Sequence, residues 1–129
     1  MLLASSRALV GVVLMAAALI AAAGDAAPTI RLLVQSSPLA GFRYYAAGVV
    51  WGDLKVGDPL ELAREVDNPF DARATSVAWR GHKIGYVPRR ENAAVAWGLD
   101  RGERLHARIS RLLEHPNPAR RIEFEIYIE

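Results

Sequence analysis

Residues 64–73 read REVDNPFDAR, and Asn68-Pro69-Phe70-Asp71 inside them carries more than a chain reversal requires. Asn-Pro initiates a turn. A turn needs neither the ring of Phe70 nor the carboxylate of Asp71. Rings beside guanidinium groups recur elsewhere: Arg43 precedes Tyr44 in GFRYYAAG, and Tyr86 precedes Arg89 and Arg90 in KIGYVPRR. That combination suits single-stranded nucleic acid, whose bases stack on exposed rings while its phosphates meet arginines. Each stacked base is worth roughly 1–3 kcal/mol, so two such platforms suffice to fix a dinucleotide. The same residues also fit a plain structural use. Tyr44 and Tyr45 are consecutive, so on a strand one ring would point inward; Phe70 could plug an open barrel end; Arg89 and Arg90 could be the wet face of a helix.

Catalytic chemistry finds little support. The chain has no Cys, hence no thiolate nucleophile and no disulfide. His82, His106 and His115 lack the H-x-x-x-H or H-E-x-x-H spacing of a metal site, so no zinc is expected. Neither a G-x-S-x-G elbow nor a G-x-x-x-x-G-K-[ST] phosphate loop occurs, so no ATP is expected. Asp67 and Asp71 could in principle form an acid–base pair, but charged turn residues are far more often solvated caps. A non-enzymatic protein without cofactor is the expectation.

These residues must be carried by a small domain. The chain has 129 residues, of which 52% are hydrophobic and 23% charged, the composition of a globular protein. Its first residues distort that average: a single charge, Arg7, precedes an apolar run of 16 residues from Ala8 to Ala23. A basic residue, an apolar core and small residues after it predict a secretory signal peptide over residues 1–26, cleaved after Ala23 or Ala26. The product would be periplasmic or secreted. An uncleaved segment would serve as a membrane anchor, and a start site further downstream would leave the protein cytoplasmic. About 100 residues remain, enough for one core. From Arg80 to Arg121 there are ten basic residues against four acidic ones, an asymmetry that favours an anionic partner. Fourteen of the sixteen basic residues are Arg, which suits bidentate phosphate contacts, although a GC-rich genome gives the same bias.

The clearest element is the C-terminal RIEFEIYIE, where Ile122, Phe124, Ile126 and Ile128 alternate with Glu and Tyr. Period two predicts a strand with one buried face. PLELARE alternates likewise with Leu60 and Leu62 inward, and TSVAW and HKIGYV flank Arg80-Gly81 as a hairpin. RLLVQS and YYAAGVVW read as two earlier strands, and ERLHARISRLL as a strand before the EHPNP turn. PRRENAAVAWGLDRG reads as a helix from Pro88 to near Gly102, with Ala93, Ala96 and Trp97 packed inward. Six or seven short strands, one short helix and tight turns predict a small closed or half-closed all-β barrel of OB-like character, since closure removes exposed edges.

The stretch GFRYYAAGVVWGDLKVGDPLELAREVDNPFDARATSVAWRGHKIGYVPRRENAAVAWGLDRGERLHARI resembles a HIRAN domain. Four motifs in order carry the resemblance: G-F-x-Y-Y, G-D-x-L-x-L-x-R-E, N-P-[FY]-D followed by A-x-x-V, and G-[YH]-[VL]-P. It spans residues 31–128. The resemblance implies an OB-like β-barrel and a partner, the 3′-hydroxyl end of single-stranded DNA. Members of the family occur alone in bacteria or fused to remodelling ATPases of DNA repair; no ATPase is present in this sequence. Carried over by position, Tyr44 and Phe70 would sandwich the terminal base and Asn68 would bond its edge or sugar. Asp71 would accept the 3′-hydroxyl, Arg43 and Arg89 would face phosphates, and Tyr86 would line the pocket.

Two residues depart from the Asn-Asn-Pro-Tyr that DNA-binding members often carry, and at one of them Phe70 keeps the ring and loses the hydroxyl. Asp67 stands where DNA-binding members carry Asn, and its charge opposes a polyanion unless it faces away or pairs with Arg64. An exported barrel that recognises a protein, a glycan or a small ligand is therefore the other reading.

Overall fold

The structure is a computed structural model that describes residues 30–129. The expected signal peptide over residues 1–26 lies outside the described residues. Six strands form one antiparallel sheet: β1 (Leu32–Pro38), β2 (Pro59–Arg64), β3 (Thr75–Trp79), β4 (His82–Tyr86), β5 (Leu105–Leu112) and β6 (Ile122–Ile128). Their order across the sheet is β1-β6-β5-β2-β3-β4. The all-β expectation holds, with strand boundaries that follow the alternation of apolar residues. Ile122, Phe124 and Ile126 of β6 are buried and pack with Ala107 and Ile109 of β5, because the pleat sends alternate side chains to one face. Arg80 and Gly81 join β3 to β4 with φ of 46° and 80°, the paired positive angles of a type I′ hairpin turn.

The sheet curls without closing strand on strand. Among the described residues, β1 and β4 approach through one bridge, in which Ala40 N–H donates to the Tyr86 carbonyl (3.0 Å) and Tyr86 N–H to the Ala40 carbonyl (2.9 Å). Gly85 makes that approach feasible. A Cβ at this position would sit 2.2 Å from the Ala40 carbonyl oxygen. The remaining gap is spanned by the Gln35 amide, which donates to the carbonyl of Glu91 (2.9 Å).

Three sequence expectations need correction. YYAAGVVW is not a strand. It lies in a 3-10 turn (Phe42–Tyr44), the helix α1 (Ala47–Val50) and a second 3-10 turn (Trp51–Asp53). Phe42, Ala47, Val50 and Leu54 are its buried residues, and separations of three and four after Ala47 are those of a helix. Among the described residues there are consequently two helices, the second being α2 (Ala93–Asp100). Within α2 the inward positions are Val95 and Ala96, while Trp97 is exposed. The phase is set by Asn92, which is buried immediately before the helix and rotates Trp97 to the surface.

Candidate nucleic-acid interface

The 65–74 connection between β2 and β3 is built from its own side chains. Asn68 Oδ1 accepts from the backbone N–H of Phe70 (2.9 Å) and Asp71 (3.2 Å), an Asx turn that leaves Pro69 and Phe70 at its tip. Asp71 Oδ1 then accepts from Arg73 N–H (2.9 Å), turning the chain back toward β3. Two anchors from outside hold the loop. Asn92 Nδ2 donates to Asp71 Oδ2 (2.8 Å) and to the Arg73 carbonyl (3.0 Å). Arg64 donates to the carbonyls of Ala74 (2.7 Å) and Ala72 (2.9 Å) and pairs with Asp100 (3.0 Å). Phe70 is thereby held with 82% of its surface open.

Asn68, Phe70, Asp71, Tyr86 and Arg89 line one cleft of about 260 Å³, together with Ala40 and Tyr45. Five of the seven residues singled out from the sequence thus converge. The other two, Arg43 and Tyr44, line a neighbouring cleft of about 180 Å³ that shares Ala40 with the first. Tyr44 is 81% exposed, so Tyr44 and Phe70 are the two most open rings of this surface.

Tyr86, which lines the first cleft, belongs to a cluster that the sequence did not disclose. Tyr86 Oη donates to Glu65 Oε1 (2.7 Å), and Lys83 Nζ donates to Glu65 Oε2 (2.8 Å) and to Tyr86 Oη. Lys83 Nζ also sits 4.7 Å from the centroid of Tyr45 and 4.3 Å from that of Tyr86, whose rings meet edge to face at 5.4 Å. Lys83 and Tyr86 are three apart on a strand and would ordinarily face opposite sides. The register slips between Val77 and Ala78, which pair with Gly85 and Lys83, so Ile84 is an extra residue. Pairing with Ala78 and Ser76 then puts Lys83 and Tyr86 on one face. A bulge cannot be read from alternation, which is why Lys83 and Glu65 escaped notice. Tyr45 had a signal, the Tyr44-Tyr45 pair, but the side each ring would take depended on a strand that does not form.

The electrostatics favour an ionised carboxylate in the cleft. Partial burial would raise the Asp71 carboxyl, but the Arg73 amide, the Asn92 side chain and the charges of Arg89 and Arg73 outweigh it and hold it below the ordinary Asp range. Glu65 is lowered as well, its burial outweighed by hydrogen bonds from Lys83, Tyr86 and Asn68. Burial would lower Lys83, yet Glu65 and Tyr86 raise it. Burial and the Glu65 carboxylate raise the Tyr86 phenol despite its bond from Lys83. Asp71 retains lone pairs beyond its two present donors, and Asn68 Nδ2 retains one N–H beyond its bond to Glu65 (3.2 Å). Asp67 is exposed and makes no ion pair among the described residues; Arg64 is committed to Asp100. Two open rings, a fixed carboxylate and guanidinium groups at the rim can take an aromatic ligand bearing a hydroxyl donor and a phosphate.

No curated protein matches the chain. A crystal structure of a protein from Lactobacillus plantarum is similar over 76% of this chain and 94% of its own, with 27% identity and a TM-score of 0.66. The crystal structure of the HIRAN domain of human HLTF is similar over 75% of each chain, with 19% identity and a TM-score of 0.54, a likeness of fold. The family model of the HIRAN domain matches residues 32–129. The chain therefore belongs to the HIRAN domain family, a family associated with DNA binding.

Proposed function

We propose that this domain is a non-enzymatic module that holds the 3′-hydroxyl end of single-stranded DNA. The observation that carries the reading is the convergence of Asn68, Phe70, Asp71, Tyr86 and Arg89 on one cleft beside the open ring of Tyr44. Phe70 and Tyr44 take the terminal base between them across Ala40. Asp71 accepts the 3′-hydroxyl and repels a 3′-phosphate, because its carboxyl is kept ionised. The free N–H of Asn68 reaches a base or sugar edge. Arg89 and Arg43 meet phosphates and supply the salt-dependent part of affinity. Fluorescence anisotropy with 5′-labelled oligonucleotides tests this: tight binding to a 3′-hydroxyl end and weak binding to the same strand with a 3′-phosphate are expected. Equal affinity for the two ends, or none for either, sinks the proposal.

The exposed charge of Asp67 at the foot of the loop favours a second reading, an exported barrel whose cleft takes a protein, a glycan or a small ligand instead. Under that reading Asp67→Asn leaves DNA binding absent. Under the first, it strengthens DNA binding, and most at low salt, where the repulsion it removes is least screened.

A further inference from the structure

A third cleft, of about 470 Å³, is lined by Trp51, Glu114, His115, Pro116 and Arg121. That volume lies in the range of ordinary small-ligand sites. It adjoins the Arg43–Tyr44 cleft, whose lining residue Phe42 contacts Trp51. The Phe42 ring meets Trp51 edge-on, with centroids 5.8 Å apart and planes at 70°. The guanidinium of Arg121 stands 5.0 Å from the same ring.

The loop that forms the far wall is preset by its own hydrogen bonds. Asn117 N–H donates to His115 Nδ1 (2.9 Å), and Asn117 Oδ1 accepts from Ala119 N–H (3.1 Å). Arg121 Nε donates to the His115 carbonyl (2.7 Å). Two consequences follow. With Nδ1 accepting, the imidazole carries its proton on Nε2, and that N–H has no partner among the described residues. Arg121 commits only Nε to the loop, so its two Nη groups are oriented donors with no partner among the described residues. The cleft therefore offers a ring, an imidazole N–H and an anchored guanidinium fork, against the single acid Glu114. A ring takes a base and a guanidinium takes a phosphate, which is the chemistry of one nucleotide.

We infer that the Trp51–His115–Arg121 cleft binds a nucleotide at least two positions 5′ to the terminal one, so that a single strand runs from Phe70 past Tyr44 to Trp51. This rests on the end-binding reading above. It predicts that affinity grows with strand length, which a pocket for the terminus alone does not require. Isothermal titration calorimetry with unlabelled 3′-hydroxyl oligothymidylates of two and six nucleotides reads the difference. The hexamer is expected to bind more tightly than the dimer by roughly 5- to 150-fold, the factor that one stacked base supplies. Trp51→Ala, and independently His115→Ala, should reduce hexamer affinity toward that of the dimer while leaving the dimer unchanged. Equal affinity of the wild-type protein for both lengths overturns the inference, as does loss of both lengths in parallel in both variants. If lengths are equal but Phe70→Ala still weakens binding, only the extended path fails. If neither length binds the wild-type protein, the end-binding reading fails with it.

Discussion

Replacing Gly85 by alanine places a methyl group where the Ala40 carbonyl oxygen already stands, 2.2 Å away, with Leu39 side-chain carbons at 2.9 Å. The carbonyl cannot retreat cheaply, because it accepts from Tyr86 N–H at 2.9 Å and the partner bond runs back at 3.0 Å. Separating the two segments forfeits two backbone hydrogen bonds at about 0.5–1.5 kcal/mol each. Keeping them together overpacks a buried site, at about 1–3 kcal/mol. Either route destabilises the domain by about 1–3 kcal/mol. Urea unfolding followed by far-UV circular dichroism should show a midpoint lowered by on the order of 1 M with an unchanged slope, since slopes run about 1–3 kcal/mol/M. Gly52→Ala is the matched control, because a Cβ there meets no atom within 4 Å; it should stay within about 0.5 kcal/mol of wild type. A Gly85→Ala protein as stable as that control refutes the close approach and, with it, the way the sheet's two ends meet at the floor of the cleft.

Phe70→Ala removes a ring that the fold does not bury, so it should weaken oligonucleotide binding roughly 5- to 150-fold in anisotropy with the unfolding midpoint unmoved. Asp71→Asn should erase the preference for 3′-hydroxyl over 3′-phosphate ends more than it lowers affinity for the former, as titrations against both ends would show. Asn92→Leu leaves Asp71 Oδ2 and the Arg73 carbonyl without their shared donor, costing about 1–3 kcal/mol in chemical denaturation. Asp71 and Glu65 have folded pKa values below their ordinary ones, so their stabilisation is present at neutral pH and is lost as pH falls through the lowered values. Lys83, raised from 10.5, adds stability that is present below that value and lost as pH rises through the folded one. Thermal melts across the pH range should therefore fall off at the acid end in the wild type and less steeply in Glu65→Gln.

Much of the sheet could be read from periodicity because its core is one-sided. β6 writes its buried face in every second residue, and β5 does so at Ala107 and Ile109. Periodicity failed where two periods fit one composition. The Tyr, Val and Trp of residues 44–51 have strand propensity, but what decides the segment is burial of Ala47, Val50 and Leu54 around a helical turn. It failed again at Trp97, where a polar residue, Asn92, takes the inward position that an apolar count assigns elsewhere. The 65–74 turn was legible because it is held largely by bonds among neighbours in sequence. The cluster that holds Tyr86 was not, since Glu65 and Lys83 meet across 18 residues and through a bulge.

The loop also separates what folding demands from what it leaves free. Asn68 accepts two backbone N–H groups and Asp71 caps the return while receiving Asn92, so both residue types are already required by the turn itself. Their presence in a sequence is therefore no measure of ligand binding. Phe70 stands apart: its ring is 82% exposed and contributes nothing to the core, although an exposed ring carries a solvation cost. Tyr44, at 81%, is in the same position. Two such rings line neighbouring clefts that share Ala40, and neither is required by the turn that carries it. For that reason Phe70 and Tyr44, rather than Asn68 or Asp71, are the substitutions that isolate recognition from stability.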